Sequence, residues 1–467
     1  MSLQRLAHAL GPQRVRVILM GFGFLCLFAA FSTTSGVEAT VIDGFKDDHS
    51  SFKGSGYISL SVLYITFAFS NWFAPSVIAA FGAKWSLFIS SLSYTLFIAM
   101  FFFLITWVFY ALSALVGLGA AVLWTSQGAY LSMNSNADSI SVNSAIFWAL
   151  FQAANGGGLI ATFLFQGNSG VTDSQRTELF TILLAVSAAA NIIFLFLPQS
   201  ALKSEGQNEP NQSSIQNKIE IHTEPEDSEA DNFVDADSQQ LLDENEDAVG
   251  VQNVEAVRGI KDALVKSMKL FAQKRMILLF WTFFYTGIVT SFNTGIYGTC
   301  LGNTAYWNNS KNLVGLTTTV VGLGQIIACL FGGMSRRLKL RGETVFLIGG
   351  VVHLLTFLLI FINLPTDSPI ERTLEKAYIN PNEYIGLACA FLLGFGDGCI
   401  ETEIMNILVT KYPGDSAPAF ALFKFSQSLA CAVAFFYSTY LNLNYQIAIV
   451  ISCNVISSLG FFAASAI

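Results

Sequence analysis

The chain has 467 residues, 53% of them hydrophobic and only 12% charged, with a mean hydropathy of +0.54. A soluble protein carries about twice that share of charge to cover its surface, so a soluble globular protein is excluded and an integral membrane protein is indicated. The formal net charge of −8 is local: fifteen acidic residues between Leu202 and Ile260 face only Lys203, Lys218 and Arg258, which leaves the rest of the chain mildly basic.

A helix needs about 20 residues to cross a ~30 Å hydrocarbon core. Apolar runs of that order begin near Val15, Gly56, Ser86, Tyr110, Asn143 and Glu178, and again near Met276, Leu313, Thr344, Tyr384, Ala419 and Asn444. The organisation predicted is six spans, a polar insert and six spans. Arg14 and Arg16 ahead of the first run imitate a signal peptide, but the run is long for one and no small-residue cleavage site follows closely, so an uncleaved span is expected.

Lys and Arg near span ends set orientation. Arg5, Arg14, Arg16, Lys84, Lys266, Lys269, Lys274, Arg275, Arg336, Arg337, Lys339 and Arg341 share one side, against Lys46, Lys53, Arg176, Lys311, Arg372 and Lys376 on the other. Both termini and the insert are therefore expected in the cytosol, with the sequon Asn308-Asn309-Ser310 on the opposite side, where Asn308 is open to glycosylation. The insert is rich in Glu, Asp, Ser, Asn and Gln and has one aromatic residue, Phe233; too little apolar surface is available to fold it, and a disordered linker is predicted. Within it, Asp237-Ser238-Gln239-Gln240-Leu241-Leu242 resembles the acidic dileucine signal that clathrin adaptors read for endosomal and lysosomal sorting, the alternative being an ordinary Leu pair in a solvated tail.

The two sets of spans echo one another. Gly117-Leu118-Gly119 corresponds to Gly394-Phe395-Gly396, Gln152 to Gln427, and Thr34-Ser35-Gly36 to Asn293-Thr294-Gly295. Parallel six-span halves with a cytosolic linker are the arrangement of the major facilitator architecture. The fold expected is all-α integral membrane, the major facilitator superfamily fold with twelve transmembrane helices in two six-helix halves, residues 1–198 and 276–467, around a linker at 199–275.

Three strings sharpen this: Ala121-Val122-Leu123-Trp124-Thr125-Ser126-Gln127-Gly128, Ile146-Phe147-Trp148-Ala149-Leu150, and Asp415-Ser416-Ala417-Pro418-Ala419-Phe420-Ala421-Leu422-Phe423-Lys424-Phe425. With Gly54-Ser55-Gly56-Tyr57 they resemble the Unc-ninety-three-like branch of the major facilitator superfamily over nearly all of the membrane part, the linker excepted. The resemblance implies a twelve-helix facilitator fold and a family whose better-known members regulate a potassium channel or escort Toll-like receptors. It implies no particular substrate. The facilitator loop signature G-x-x-x-D-R/K-x-G-R/K-R/K is reduced to Gly82-Ala83-Lys84 in the first half, and Gly332-Gly333-Met334-Ser335-Arg336-Arg337 in the second lacks the Asp, which counts against ordinary alternating access.

The tenth span holds three carboxylates, Asp397, Glu401 and Glu403. On a helix starting near Tyr384, Asp397 lies roughly 20 Å in and Glu401 roughly 26 Å, on one face, whereas Glu403 points elsewhere toward headgroup water. A lone charge at the bilayer centre costs about 2.5–3.5 kcal/mol, so these groups face the interior and find partners. Lys424 of the next span enters at the depth of Glu401 and is expected to pair with it. One carboxylate is then left over, protonated, bound to a cation or hydrated. The functional reading is a proton, cation or cationic-substrate site; the structural alternative is a Lys–Glu clasp locking the tenth helix to the eleventh, with Gly394, Gly396 and Gly398 allowing close approach. Glu38 either ends the first helix at the interface or forms an outer gate with Tyr297, and His353 reads as a satisfied interior histidine.

The seven cysteines show no C-x-x-C pair, and neither a disulfide frame nor a metal site is supported. No nucleophile, base and orienting acid occur together, no phosphate-cradling loop exists, and the basic clusters are short and juxtamembrane, so no catalysis, cofactor or nucleic-acid partner is expected. Two functions remain: an accessory or regulatory scaffold for another membrane protein, a channel or receptor, in the endolysosomal or plasma membrane; or a secondary transporter coupled to protons or a cation.

Overall fold

The computed structural model describes residues 11–49, 51–135, 139–165, 171–199, 265, 267–307, 309–337, 340–412 and 416–467. Among them the helices are α1 (Pro12–Asp48), α2 (Gly56–Ser70), α3 (Ala74–Ala99), α4 (Thr106–Met133), α5 (Ile140–Ala153), α6 (Gly158–Leu164) and α7 (Asp173–Leu195), then α8 (Lys274–Ser291), α9 (Tyr297–Asn303), α10 (Ser310–Arg337), α11 (Gly342–Asn363), α12 (Glu383–Lys411), α13 (Ser416–Ser438) and α14 (Leu443–Ala466). A 3₁₀ turn, Ala154–Gly157, joins α5 to α6, and a widened π turn, Phe292–Ile296, joins α8 to α9. Backbone groups have no water to bond in hydrocarbon, and a helix satisfies them internally.

Eleven stretches are long and apolar enough to cross a bilayer, and Gly56–Ser70 is a shorter apolar helix. That second crossing is completed by the start of α3. Gly82, at φ 74° and ψ 159°, breaks α3 in two; residues 74–81 continue the second crossing and the third begins at Ala83. The left-handed φ suits glycine, and it places the turn at the Gly82-Ala83-Lys84 remnant. Twelve crossings result. The first is overlong: 37 residues make about 55 Å at 1.5 Å per residue.

The Phe content is not mainly lipid-facing. Phe24, Phe28 and Phe31 line one side of α1 and meet Phe147, Phe151, Trp124 and Tyr94, with ring centroids 4.8 Å apart for Phe31–Tyr94 and 5.0 Å for Phe28–Phe151. Lipid is as apolar as a Phe ring, so burial here gains packing rather than a hydrophobic driving force, with about 0.5–1.5 kcal/mol from each well-oriented ring pair. A second core runs from Met276 to Ala464 through the last six crossings.

Three seams join the first six crossings to the last six. In the first, Gly36 of α1 faces the Thr294 carbonyl and Gly295 faces the Ser35 carbonyl, so the echoed triads are where the first and seventh crossings meet. Gly158 of α6 and Gly315 of α10 form the second, so close that a Cβ on either would overlap the other's carbonyl oxygen. The third is α2 against α13: Tyr57 and Tyr64 stack on Phe435, the Ser61 hydroxyl donates to the Ala432 carbonyl at 2.8 Å, and Phe69 and Trp72 pack on Phe425. Gly158→Val should therefore overpack the second seam at about 1–3 kcal/mol and lower the melting temperature in detergent, whereas Gly128→Val, where a Cβ meets nothing within 4 Å, should leave it unchanged.

Candidate functional site

Helix α12 carries the three carboxylates and is started by Asn382, whose side-chain oxygen accepts the Tyr384 and Ile385 N–H groups at 2.9 and 3.3 Å. Its glycines fix its neighbours. Gly394 lies against the Val321 backbone and Gly398 against Ala328 and Gln325, all on α10, while Gly396 receives the His353 ring from α11. The small-residue stripe therefore seats the eighth and ninth crossings, not the eleventh as the sequence suggested. The reason is geometric: Lys424 and Gln427 are too bulky for backbone contact, and α13 meets α12 through them.

Asp397 is 4% exposed. Its Oδ2 accepts from Gln325 Nε2 of α10 at 2.9 Å, and its Oδ1 is buried with no partner. The Gln325 Oε1 in turn accepts from Gln152 Nε2 of α5 and Asn155 Nδ2 of the 3₁₀ turn, each at 3.4 Å. A polar relay thus leads from Asp397 across the seam into the first six crossings. His353 is buried and satisfied: Nδ1 bonds the Tyr285 hydroxyl at 2.7 Å and Nε2 the Leu393 carbonyl at 2.9 Å.

Glu401 and Lys424 do not pair directly. Gln427, one helical turn beyond Lys424 on α13, stands between them: its Nε2 donates to Glu401 Oε1 at 2.8 Å and to Thr286 Oγ1 at 3.3 Å, and its Oε1 accepts from Lys424 Nζ at 2.8 Å. The ammonium also lies 4.7 Å from the Phe423 ring centroid. An amide offers a donor to the acid and an acceptor to the base, so both charges are held with one side chain. Two acids stand against one base in this region, with Asp397 Oδ1 as the uncommitted acceptor.

A family model described as "Ion channel regulatory protein UNC-93" matches residues 48–462. The chain belongs to the UNC-93 family. It is 38% identical to the UNC93-like protein MFSD11 of Xenopus tropicalis over 456 residues, covering 96% of this chain and 95% of the relative, and 26% identical to Protein unc-93 homolog A of Bos taurus over 441 residues, covering 91% and 87%. Solved structures share the fold. A point mutant of the nucleoside transporter NupG superposes with a TM-score of 0.61 at 12% identity over 97% of this chain and 99% of that one, and a peptide transporter POT in complex with sulfate with 0.62 at 15% identity over 96% and 94%. This UNC-93 chain therefore has the major facilitator fold.

The remaining candidates separate. Glu403 is 4% exposed rather than in headgroup water; its Oε2 accepts from Asn406 Nδ2 at 3.1 Å beside a cavity of about 140 Å³. The carboxylate sits over Gly342, where a Cβ would overlap Oε2, at the start of α11, whose N-terminal partial charge favours an anion. Glu38 does not end its helix, for α1 continues ten residues further, and it is fully buried with neither carboxylate oxygen bonded. Nor does it form a gate with Tyr297. Gly56 brings the start of α2 against the Glu38 backbone, with Ser59 beside the carboxylate, while the Tyr297 hydroxyl donates to the Gly386 carbonyl at 2.7 Å. Asn308 and the sorting residues Asp237, Leu241 and Leu242 lie outside the described residues.

Sequence reasoning missed Gln325, Asn155 and Asn293. The last stands in the π turn, buried, with both amide atoms unbonded, and such turns are frequent at functional sites. The available signal was an amide inside an apolar run, which must face the bundle. Replacing Gln427 by Leu leaves Lys424 and Glu401 each short of a bond; a loss of about 1–3 kcal/mol should appear as a lower melting temperature, and Gln427→Leu combined with Lys424→Met should cost less than the sum of the two.

Proposed function

We propose that this UNC-93 family protein is an accessory membrane protein: a facilitator fold that binds a channel or receptor and governs its stability or traffic. The observation that carries this is the α2–α13 seam. It is packed at both ends, from Tyr57 on Phe435 to Trp72 on Phe425, about 22 Å of helix at 1.5 Å per residue. Rocking of one half against the other has to break one end of that seam, which favours a rigid scaffold over a cycling carrier. The family description, ion channel regulation, supports the same reading, as does the loss of the Asp from the Gly82 turn. The orientation with cytosolic termini, residence in the endolysosomal or plasma membrane and an adaptor contact through Asp237, Leu241 and Leu242 belong to this proposal.

A second reading, secondary transport of a small solute coupled to protons or a cation, is favoured by one specific feature, the unbonded Oδ1 of Asp397, which is linked to the seam between the halves through Gln325. Native mass spectrometry of tagged protein taken from its own membranes in mild detergent decides between them. A stoichiometric second membrane protein is the expected result; a lone monomer overturns it. Under the transport reading, Asp397→Asn abolishes coupled flux in proteoliposomes, and unchanged flux removes that reading.

A further inference from the structure

We propose that Asp397 and Gln325 form a proton-controlled latch between the two halves, in which the Gln325 amide converts the charge state of Asp397 into adhesion across the seam. The latch rests on the second of the two functional readings, since loosening the halves requires one end of the α2–α13 seam to open; the distance measurement below tests it separately from coupled flux.

An ionised carboxylate only accepts hydrogen bonds. While Asp397 is an anion, the Gln325 NH₂ must face it, as it does at 2.9 Å. The Gln325 oxygen must then face the other way, where it accepts from Gln152 and Asn155 together at 3.4 Å. The polarity of the whole relay is thus set by one charge. Asn155 is held in place, because Gly322 of α10 leaves room for its side chain and Thr319 Oγ1 donates to its carbonyl at 3.1 Å.

The uncommitted Oδ1 is where the switch acts. A proton needs no further oxygen ligands, whereas a metal cation needs several, and no other polar atom among the described residues bonds Oδ1. Seven titratable groups stand around Asp397: Glu401 and Cys399 on its own helix, Lys424 and Cys431 on α13, Tyr285 on α8, Cys329 on α10 and His353 on α11. Five are already engaged: Lys424 and Glu401 by Gln427, Cys431 by the Gly287 carbonyl, His353 by Tyr285, and Tyr285 also by Asn454, whose Nδ2 donates to the hydroxyl at 2.6 Å. His353 commits its other nitrogen to Leu393. The proton taken up from water becomes an O–H donor, and the acceptor within the relay is Gln325 Oε1. Reaching it requires the amide to turn over. With the Gln152 and Asn155 amides as they stand, its NH₂ then meets their NH₂ groups, donor against donor, and the seam loosens. Even without turning, the bond to Oδ2 loses its charge assistance, which makes such bonds roughly twice as strong as neutral ones.

The test is pulsed EPR on the full chain in nanodiscs, with nitroxides at Lys84→Cys and Arg341→Cys, turns of opposite halves at the same end of the bundle, in a parent whose Cys26, Cys329 and Cys453 are replaced by Ser. The parent is expected to show one distance at pH 9.5 and a growing longer population as the pH falls to 6. Asp397→Asn should show the longer population at both pH values, as should Gln325→Met, and the double variant should add nothing. Asn155→Ala, which keeps the Asp397–Gln325 bond and deletes one donor, should raise the longer population at pH 9.5 roughly two- to tenfold and keeps the test open should Gln325→Met not fold. The latch is overturned by a parent distribution that ignores pH, by an Asp397→Asn protein that still responds to it, or by additive effects of Asp397→Asn and Gln325→Met.

Discussion

A polar group inside a membrane must find its partner inside the protein, and the architecture of this chain follows from that requirement. The buried acids, bases and amides around the tenth crossing each recruit a neighbour, most of them on another helix: Asp397 takes Gln325, Glu401 takes Gln427, Glu403 takes Asn406 and the start of α11, and His353 takes Tyr285. Dispersion between apolar side chains is nearly the same against lipid as against protein. Polar pairing and glycine contact therefore choose which helix neighbours which, and the aromatic stacks fill the space that they define.

The two bundles use their polar groups differently. The first six crossings are held by rings and by neutral polar pairs between helices, Ser59 with Ser113 and Thr95 with Ser187 and Asn191, while other hydroxyls, such as those of Thr33 and Thr34, bond carbonyls of their own helix. The last six concentrate ionisable groups around α12. The seam joins a packed, nearly uncharged body to a charged one, and Gln152 and Asn155 are the points at which the first touches the electrostatics of the second. Such asymmetry suits a molecule in which one half senses and the other supports, whether what is sensed is a partner or a solute.

The all-helical membrane fold and its helix number were legible in the sequence, because apolar run length is a strong, local signal. Helix rotation was not. The Gly394, Gly396 and Gly398 stripe signals close approach without naming the partner, and it went to α10 and α11. Lys424 and Glu401 were expected to bond directly, but a neutral amide at the next turn intervenes, and Gln427 carries no charge to advertise itself. Glu38 was read as a helix end because it stands at the outer end of the first apolar run; α1 continues through it to Asp48. Family membership was visible in whole strings of residues, since those record ancestry rather than physics.

The excess length of α1 has a mechanical meaning. Its last turns are gripped by the start of α7, with the Arg176 guanidinium 4.5 Å from the Phe45 ring centroid and bonded to Asp173 at 3.0 Å, and with Gly44 lying against the Val171 backbone. The same unbroken rod passes the Thr294 crossing point and ends near Pro12. A helix is stiff along its axis, so a push on the Phe45 tip from one side of the membrane is delivered as a tilt at the other, without any passage for solute. The molecule has a handle that reaches through the bilayer.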